Sequence, residues 1–205
     1  SDSDDDDVTI GIRQFMFFGS DYLPNLHPSV RKVDSRPEVL TVLHSLEKGY
    51  DVAEICGGCA RTSTLCIRRR LKAGRNFDLV TGVDLTLPEN QRLVYKYFDE
   101  HSVLVAVMAP MCTPFGQMGM HNRTMYPEAW QRSYDVAGPL AQFCGCLARL
   151  QLERGRHFLC EQPFPSTLFD EKPWPEVASN PKVNKIIYDR CMAKLVLISQ
   201  PDKGK

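Results

Sequence analysis

The chain has 205 residues, 43% of them hydrophobic, which is enough for one sizeable core and a short appendage. Its 25 basic and 25 acidic residues cancel, so it has no bulk attraction for nucleic acid, and any such binding must come from a local patch. No run approaches the ~18 apolar residues of a membrane span, and the acidic N-terminus lacks the basic-then-apolar order of a signal peptide.

Residues 1–7, SDSDDDD, form an acidic tail that repels itself and has nothing to bury, so disorder is expected. Residues 8–34 mix Phe15, Phe17 and Phe18 with Pro24 and Pro28, and read as an N-terminal arm lying on the main domain. The domain proper is expected over 35–205. Ser35-Arg-Pro-Glu38 has the form of a capping box, and Val39, Leu40, Leu43 and Leu46 recur behind it at helical spacing. Residues 50–55 read as a strand, followed by the small-residue turn Cys56-Gly-Gly-Cys59 and a basic helix reaching about Ala73. Residues 77–83 read as a second strand ending at Asp84, and a helix follows from about Thr86.

The organising stretch is residues 103–119, VLVAVMAPMCTPFGQMG. Its apolar first half suits a strand buried on both faces. Pro110 and Pro114 then stiffen a loop that presents Cys112 just past the strand end, where open α/β sheets bind ligands. Gly116 and Gly119 suggest that 117–126 is a hinged, flexible loop. Trp130, Tyr134, Ala137, Leu140, Phe143, Leu147 and Leu150 trace a long helical stripe of core residues, and Pro139 within it predicts a kink or two abutting helices. Residues 157–160 read as a strand leading into Glu161-Gln-Pro163, with a helix near 181–191 and an apolar 195–198 beyond. The order strand–helix–strand–helix–strand–helix–strand calls for a mostly parallel, Rossmann-like α/β sheet with helices on both faces.

Cys56, Cys59, Cys66, Cys112, Cys144, Cys146, Cys160 and Cys191 are expected as reduced thiols, in a nuclear or cytoplasmic setting. Cys56 with Cys59 and Cys144 with Cys146 raise a four-thiolate zinc site. The pairs lie much farther apart than in zinc ribbons, so no metal is expected and most of these side chains read as small buried hydrophobes.

Four strand ends thus carry groups suited to binding or chemistry: Glu54 with Gly57-Gly58, Asp84, Pro110-Met-Cys112, and Glu161-Gln-Pro163. In this order they resemble the DNA cytosine-5 methyltransferases, over roughly residues 50–163. That family's acid-and-glycine cofactor motif is similar to Glu54-Ile-Cys-Gly-Gly-Cys-Ala60, and its ribose-binding acid to Asp84. Its Pro-Pro-Cys-Gln-x-Phe-Ser loop is similar to Pro110-Met-Cys-Thr-Pro-Phe-Gly116, and its Glu-Asn-Val motif to Glu161-Gln-Pro163. Ala60 and Arg61 stand where later glycines of the family occur.

The resemblance implies a class I methyltransferase fold lacking one edge strand, and methyl transfer from S-adenosylmethionine to C5 of cytosine in DNA. Cys112 would attack C6 and Glu161 would hold the base edge. Glu54, Gly57, Gly58, Asp84 and Pro110 would form the cofactor site, and Arg123, Arg68 and Arg69 would contact nucleic acid. No arginine motif, target-recognition region or returning C-terminal segment is found, which implies further domains, a partner chain, or a piece of a retroelement-like polyprotein. Two alternatives stand beside this reading: an inactive methyltransferase-like binding or scaffold module, and a methyltransferase acting on RNA or a small molecule. Each residue also has an ordinary role open to it. Asp84 caps a helix, Gly57-Gly58 makes a tight turn, residues 61–75 form a solvated basic face, and Cys112 is a buried structural thiol.

Overall fold

The described residues of the computed structural model are 13–19 and 49–189. Six strands form one sheet: β1 (Arg13–Gly19), β2 (Val52–Ile55), β3 (Ala73–Phe77), β4 (Val105–Met108), β5 (His157–Pro163) and β6 (Val183–Asp189), in the spatial order β3-β2-β4-β5-β1-β6. The first four strands of that order run parallel. At the other edge β1 is antiparallel to both β5 and β6. Five α-helices complete the described chain: α1 (Arg61–Arg68), α2 (Pro88–Glu100), α3 (Gln117–Met125), α4 (Pro127–Glu153) and α5 (Trp174–Ala178).

The order fixes where a site can form. From β2 the chain crosses outward to β3, then returns over β2 to β4 and continues to β5. Right-handed crossovers therefore require α1 on one face and α2 and α4 on the other. Tyr95 of α2 indeed meets Phe143 of α4 edge to face, with centroids 5.4 Å apart. The direction of winding reverses between β2 and β4, and a crevice opens at such a switch point, outside the carboxyl ends of the strands.

The core lies under α4. Ala137, Leu140, Ala141, Cys144, Leu147, Ala148 and Gln151 repeat at helical spacing and are all buried. Trp174, fully buried at the start of α5, donates its Nε1–H to the Ala141 carbonyl oxygen at 2.8 Å. Gly145 leaves room for this packing, because a Cβ there would lie 2.7 Å from Pro173 Cδ. At the far end of α4 the buried Gln151 amide donates to the carbonyls of Val103 at 3.1 Å and His157 at 3.0 Å, tying the entries of β4 and β5 to the helix. Pro139 neither divides α4 nor ends it: the helix runs unbroken for 27 residues, with the proline on its exposed side. Among the described residues no helix is long and apolar enough to cross a membrane.

Several elements depart from the sequence reading, each for a local reason. The strand expected at 77–83 lies at Ala73–Phe77 instead. Asp78 stops it by accepting the Val80 N–H, while Thr81 Oγ1 accepts the Asp78 N–H, a reciprocal cap on the 3-10 turn Leu79–Thr81. Helix α1 ends at Arg68 rather than near Ala73. The N–H groups of Arg69, Arg70 and Leu71 fold back onto its last carbonyls, and Arg70 takes a left-handed φ of 62°. The segment after Cys112, expected as a flexible loop, is helix α3. It begins at Gly116, and its Gly119 packs against the backbone of Pro114. Residues 183–189, expected within a helix, form β6 through non-local pairing with β1.

Part of the expected N-terminal arm, Arg13–Gly19, is an internal strand of the sheet, so the boundary drawn at residue 35 does not separate it from the domain. The acidic tail, the capping-box helix after Ser35, the apolar 195–198 and Cys191 lie outside the described residues.

Candidate functional site

A cleft of about 430 Å³ opens at the switch point. Its walls are mainly apolar, with Leu79, Val83, Leu85, Met111, Val136 and Leu140 among them, and Cys56, Asp78, Asp84, Thr86 and Ala109 complete the lining. These residues follow β2, β3 and β4 directly or come from α4, so the crossovers alone bring them together.

The turn after β2 is tightly built. Glu54, 2% exposed, points its carboxylate at the start of α1, where one oxygen accepts the Ser63 N–H. An acid at a helix N-terminus satisfies an orphan donor and favours the helix dipole. Gly57 lies against this carboxylate, and a Cβ there would also come within 2.8 Å of Asn76 Oδ1. Gly58 is different: its φ is +53° and a Cβ would meet nothing within 4 Å, so its outer side is open. Asn76 Nδ2 donates to the Gly58 carbonyl and the Gly58 N–H donates to Asp78 Oδ2, both at 2.9 Å, which lashes the turn to the end of β3. Ala60 keeps a left-handed φ of 52°, the conformation a glycine would take without cost.

The two acids of the cleft are not equivalent. Both oxygens of Asp78 are engaged, one by Gly58 and the other by Val80. Asp84 uses a single oxygen, Oδ1, which accepts the Thr86 hydroxyl at 2.6 Å and the Thr86 N–H at 2.9 Å. The hydroxyl bond, followed by the backbone bond, holds its carboxyl below the usual range. Oδ2 has no hydrogen bond from a described residue. Asp84 therefore keeps a charged, available acceptor in the cleft although β3 stops well before it.

On the other side of the loop after β4 sits the thiol. Pro110 is buried, and its carbonyl accepts the amide of Gln162, itself 1% exposed, at 2.7 Å. Phe115, equally buried, and Trp130, whose Nε1–H donates to the Pro114 carbonyl at 3.1 Å, pin the rest of the loop. Trp130 is only partly buried, so the stripe expected to be core begins as a clamp on this loop. Cys112 is half-buried. Burial pushes its thiol above the usual range and the Glu161 carboxylate adds to this, against a lowering backbone hydrogen bond. Residues of β5 alternate, with Phe158, Cys160 and Gln162 buried on one face and Glu161 on the other, so Glu161 is directed away from the Cys160 side.

The structure thus brings Asp84 to the mouth of the cleft, and the negative charge of Glu161 is felt at the Cys112 thiol, as it is at Cys160. Met111, not Cys112, stands on the cleft wall. Arg123 lies on α3 close by, with its guanidinium 5.0 Å over the Trp130 ring. Arg68 and Arg69 are elsewhere. Helix α1 leaves the cleft end of β2 and runs back to where β3 begins, so these two arginines lie at the opposite end of the sheet from Cys112.

Behind the cleft, the neighbouring Cys56 thiol and then burial push the Cys144 thiol well above its usual range, and burial does the same for Cys160. Sequence reasoning passed over Asp78 and the structural role of Gln162. A signal existed for Asp78, which precedes Thr81 by three residues in the pattern of a cap. Compared with family models, curated proteins and solved structures, the chain finds no match in any of the three.

Proposed function

We propose that this chain methylates cytosine at C5 in DNA, with S-adenosylmethionine as methyl donor and Cys112 as nucleophile. The observation that supports the reading most is an apolar cleft with one available carboxylate, Asp84, at the switch point of the sheet, next to a pinned loop that carries a thiol. Apolar walls suit a flat purine, and Asp84 Oδ2 suits a ribose hydroxyl. The two cleft carboxylates also favour a cationic ligand. When bound, the donor supplies an electrophilic methyl group.

The residues of the chain do the rest. Cys112, as thiolate, adds to C6 of a base taken out of its stack, which makes C5 nucleophilic. Glu161 binds the N3 and exocyclic-amine edge of the base and stabilises the adduct. With C5 methylated, water takes the C5 proton as the C6–Sγ bond breaks, which restores the C5–C6 double bond and the Cys112 thiolate. Arg123 on α3, whose guanidinium lies over Trp130 at the edge of this loop, contacts a phosphate near the base in this reading. Glu54 and Gly57 act by holding the turn, and Pro110 by holding the loop, rather than by touching a ligand.

A second reading, a binding module without turnover, is favoured by one observation: burial and Glu161 both hold Cys112 in its protonated, unreactive form. A methyl-transfer assay separates the two. Labelled donor and a cytosine-containing duplex should yield labelled DNA with the natural chain and none with Cys112→Ser. A duplex whose cytosines already carry C5 methyl groups should accept no label. Donor binding without transfer to any duplex would establish the second reading.

A further inference from the structure

We propose that the outer edge of the sheet, α1 with β3, is a separate docking track for a nucleic-acid backbone, running from the mouth of the cleft to the far end of the molecule. Between Arg61 and Asn76 the sequence has six basic residues and no acidic one. Arg61, Arg68, Arg69, Arg70, Lys72 and Arg75 are all exposed, and none is ion-paired with a described residue. The acids at that end are already engaged. Glu100 pairs with Lys96, Asp99 with Arg154, and Asp51 accepts the Lys72 backbone N–H at 2.6 Å. The net charge of the chain is zero, so this is a local field and not a property of the whole surface.

The geometry aligns the part of the cluster on α1, and Arg75 meets the same sheet edge from the other face. Arg61 and Arg68 are two turns apart and share one face of α1, with the exposed Leu65 between them. Helix α1 covers about 12 Å, room for roughly three or four phosphates at ~3.4 Å of rise each. Strand β3 is the last strand on its side among the described elements, and Arg75 stands midway along it, its guanidinium 5.2 Å over the Phe77 ring and so on the α2 side of that edge. Five of the six cations are arginines, whose planar fork matches phosphate oxygens in pairs. Leu65 and Ile67, 57% and 63% exposed, put apolar surface among the charges, which suits sugars and bases better than an acidic peptide. The track stands whether or not the cleft takes a methyl donor.

Anisotropy of a labelled single-stranded DNA 20-mer, titrated with the full chain over a range of salt, tests it. Arg68→Ala/Arg69→Ala/Lys72→Ala should bind at least about tenfold more weakly near 0.1 M salt, with a log–log salt slope shallower by about 2. Arg61→Ala/Arg75→Ala, on the same edge but other positions, should weaken binding in the same sense. The triple variant should melt like the natural chain, since its three altered side chains are exposed and none makes a ring contact or ion pair with a described residue. The titration contains no methyl donor, and Arg149→Ala, which removes an exposed arginine from α4 on the other face, should bind unchanged, which separates this result from any failure of methyl transfer. Equal affinity and slope in both edge variants would overturn the proposal. So would a polyglutamate peptide of matched charge that displaces the DNA as well as unlabelled DNA does.

Discussion

The two faces of the sheet are built to different standards. On the α4 face, ten residues of one helix are buried against β4, β5 and α5, with Trp174 and Phe158 closing the layer edge to face at 6.1 Å. On the α1 face, the helix buries only Ser63 and Cys66 and leaves Leu65 and Ile67 in the open. Its attachment is polar instead: Glu54 at its first turn, and Asn76 with Asp78 on the turn that leads into it. One face supplies stability by area, and the other positions a turn by hydrogen bonds.

Substitutions should separate the two faces. Trp174→Ala removes a fully buried indole and its bond to Ala141, and should cost about 3–5 kcal/mol in equilibrium denaturation. Leu65→Ala should stay within about 0.5 kcal/mol. Equal losses at the two sites would mean that α1 is covered by a layer as close-packed as the other face.

Gly57→Ala is expected to lose about 1–3 kcal/mol, because the new methyl group meets the Glu54 carboxylate and Asn76 inside the turn. Gly58→Ala meets no atom, and only its left-handed backbone resists, by about 1 kcal/mol. If Gly58→Ala proved the worse of the two, the turn would not be packed as described. At Ala60 the sign reverses. Ala60→Gly relieves a left-handed alanine and should stabilise the chain by about 0.5–1 kcal/mol, visible as a higher denaturation midpoint.

The smallest effect expected is one of pH. Burial first, and the charge of Glu161 after it, favour the neutral thiol, so Cys112 should react with iodoacetamide more slowly at neutral pH than a free thiol, with a midpoint above the ordinary one. Glu161→Gln removes the second cause of that rise and should move the midpoint down without abolishing the shift, since burial remains. An unchanged midpoint in the variant would show that the acid does not face the sulfur.

What the sequence shows and what it hides follow from the range of the forces involved. The loop around Cys112 is legible because two prolines and an apolar run act over a few residues. The parallel order of β2, β3, β4 and β5 is legible because alternating strands and helices admit few topologies. The end of β3 is not, because Leu79 and Val80 look like strand residues and only the cap of Asp78 turns them outward. Strand β6 is hidden for another reason: Val-Asn-Lys-Ile-Ile-Tyr-Asp acquires its state from β1, more than 160 residues earlier in the chain. At the site, Cys112, Glu161 and Asp84 could be read as candidates from the strand ends they follow. That Met111 takes the cleft wall, and that Arg68 and Arg69 end up on the far side, depends on crossover geometry that residue types do not carry.

The central claim is that the sulfur of Cys112 meets C6 of a cytosine. Intact mass of the chain after incubation with a duplex containing 5-fluorocytosine and S-adenosylmethionine measures this directly. The account predicts a stable protein–DNA adduct that is absent in Cys112→Ser and still forms, more slowly, in Glu161→Gln. An adduct that persists in Cys112→Ser, or no adduct with the natural chain under conditions where donor and duplex both bind, would contradict it.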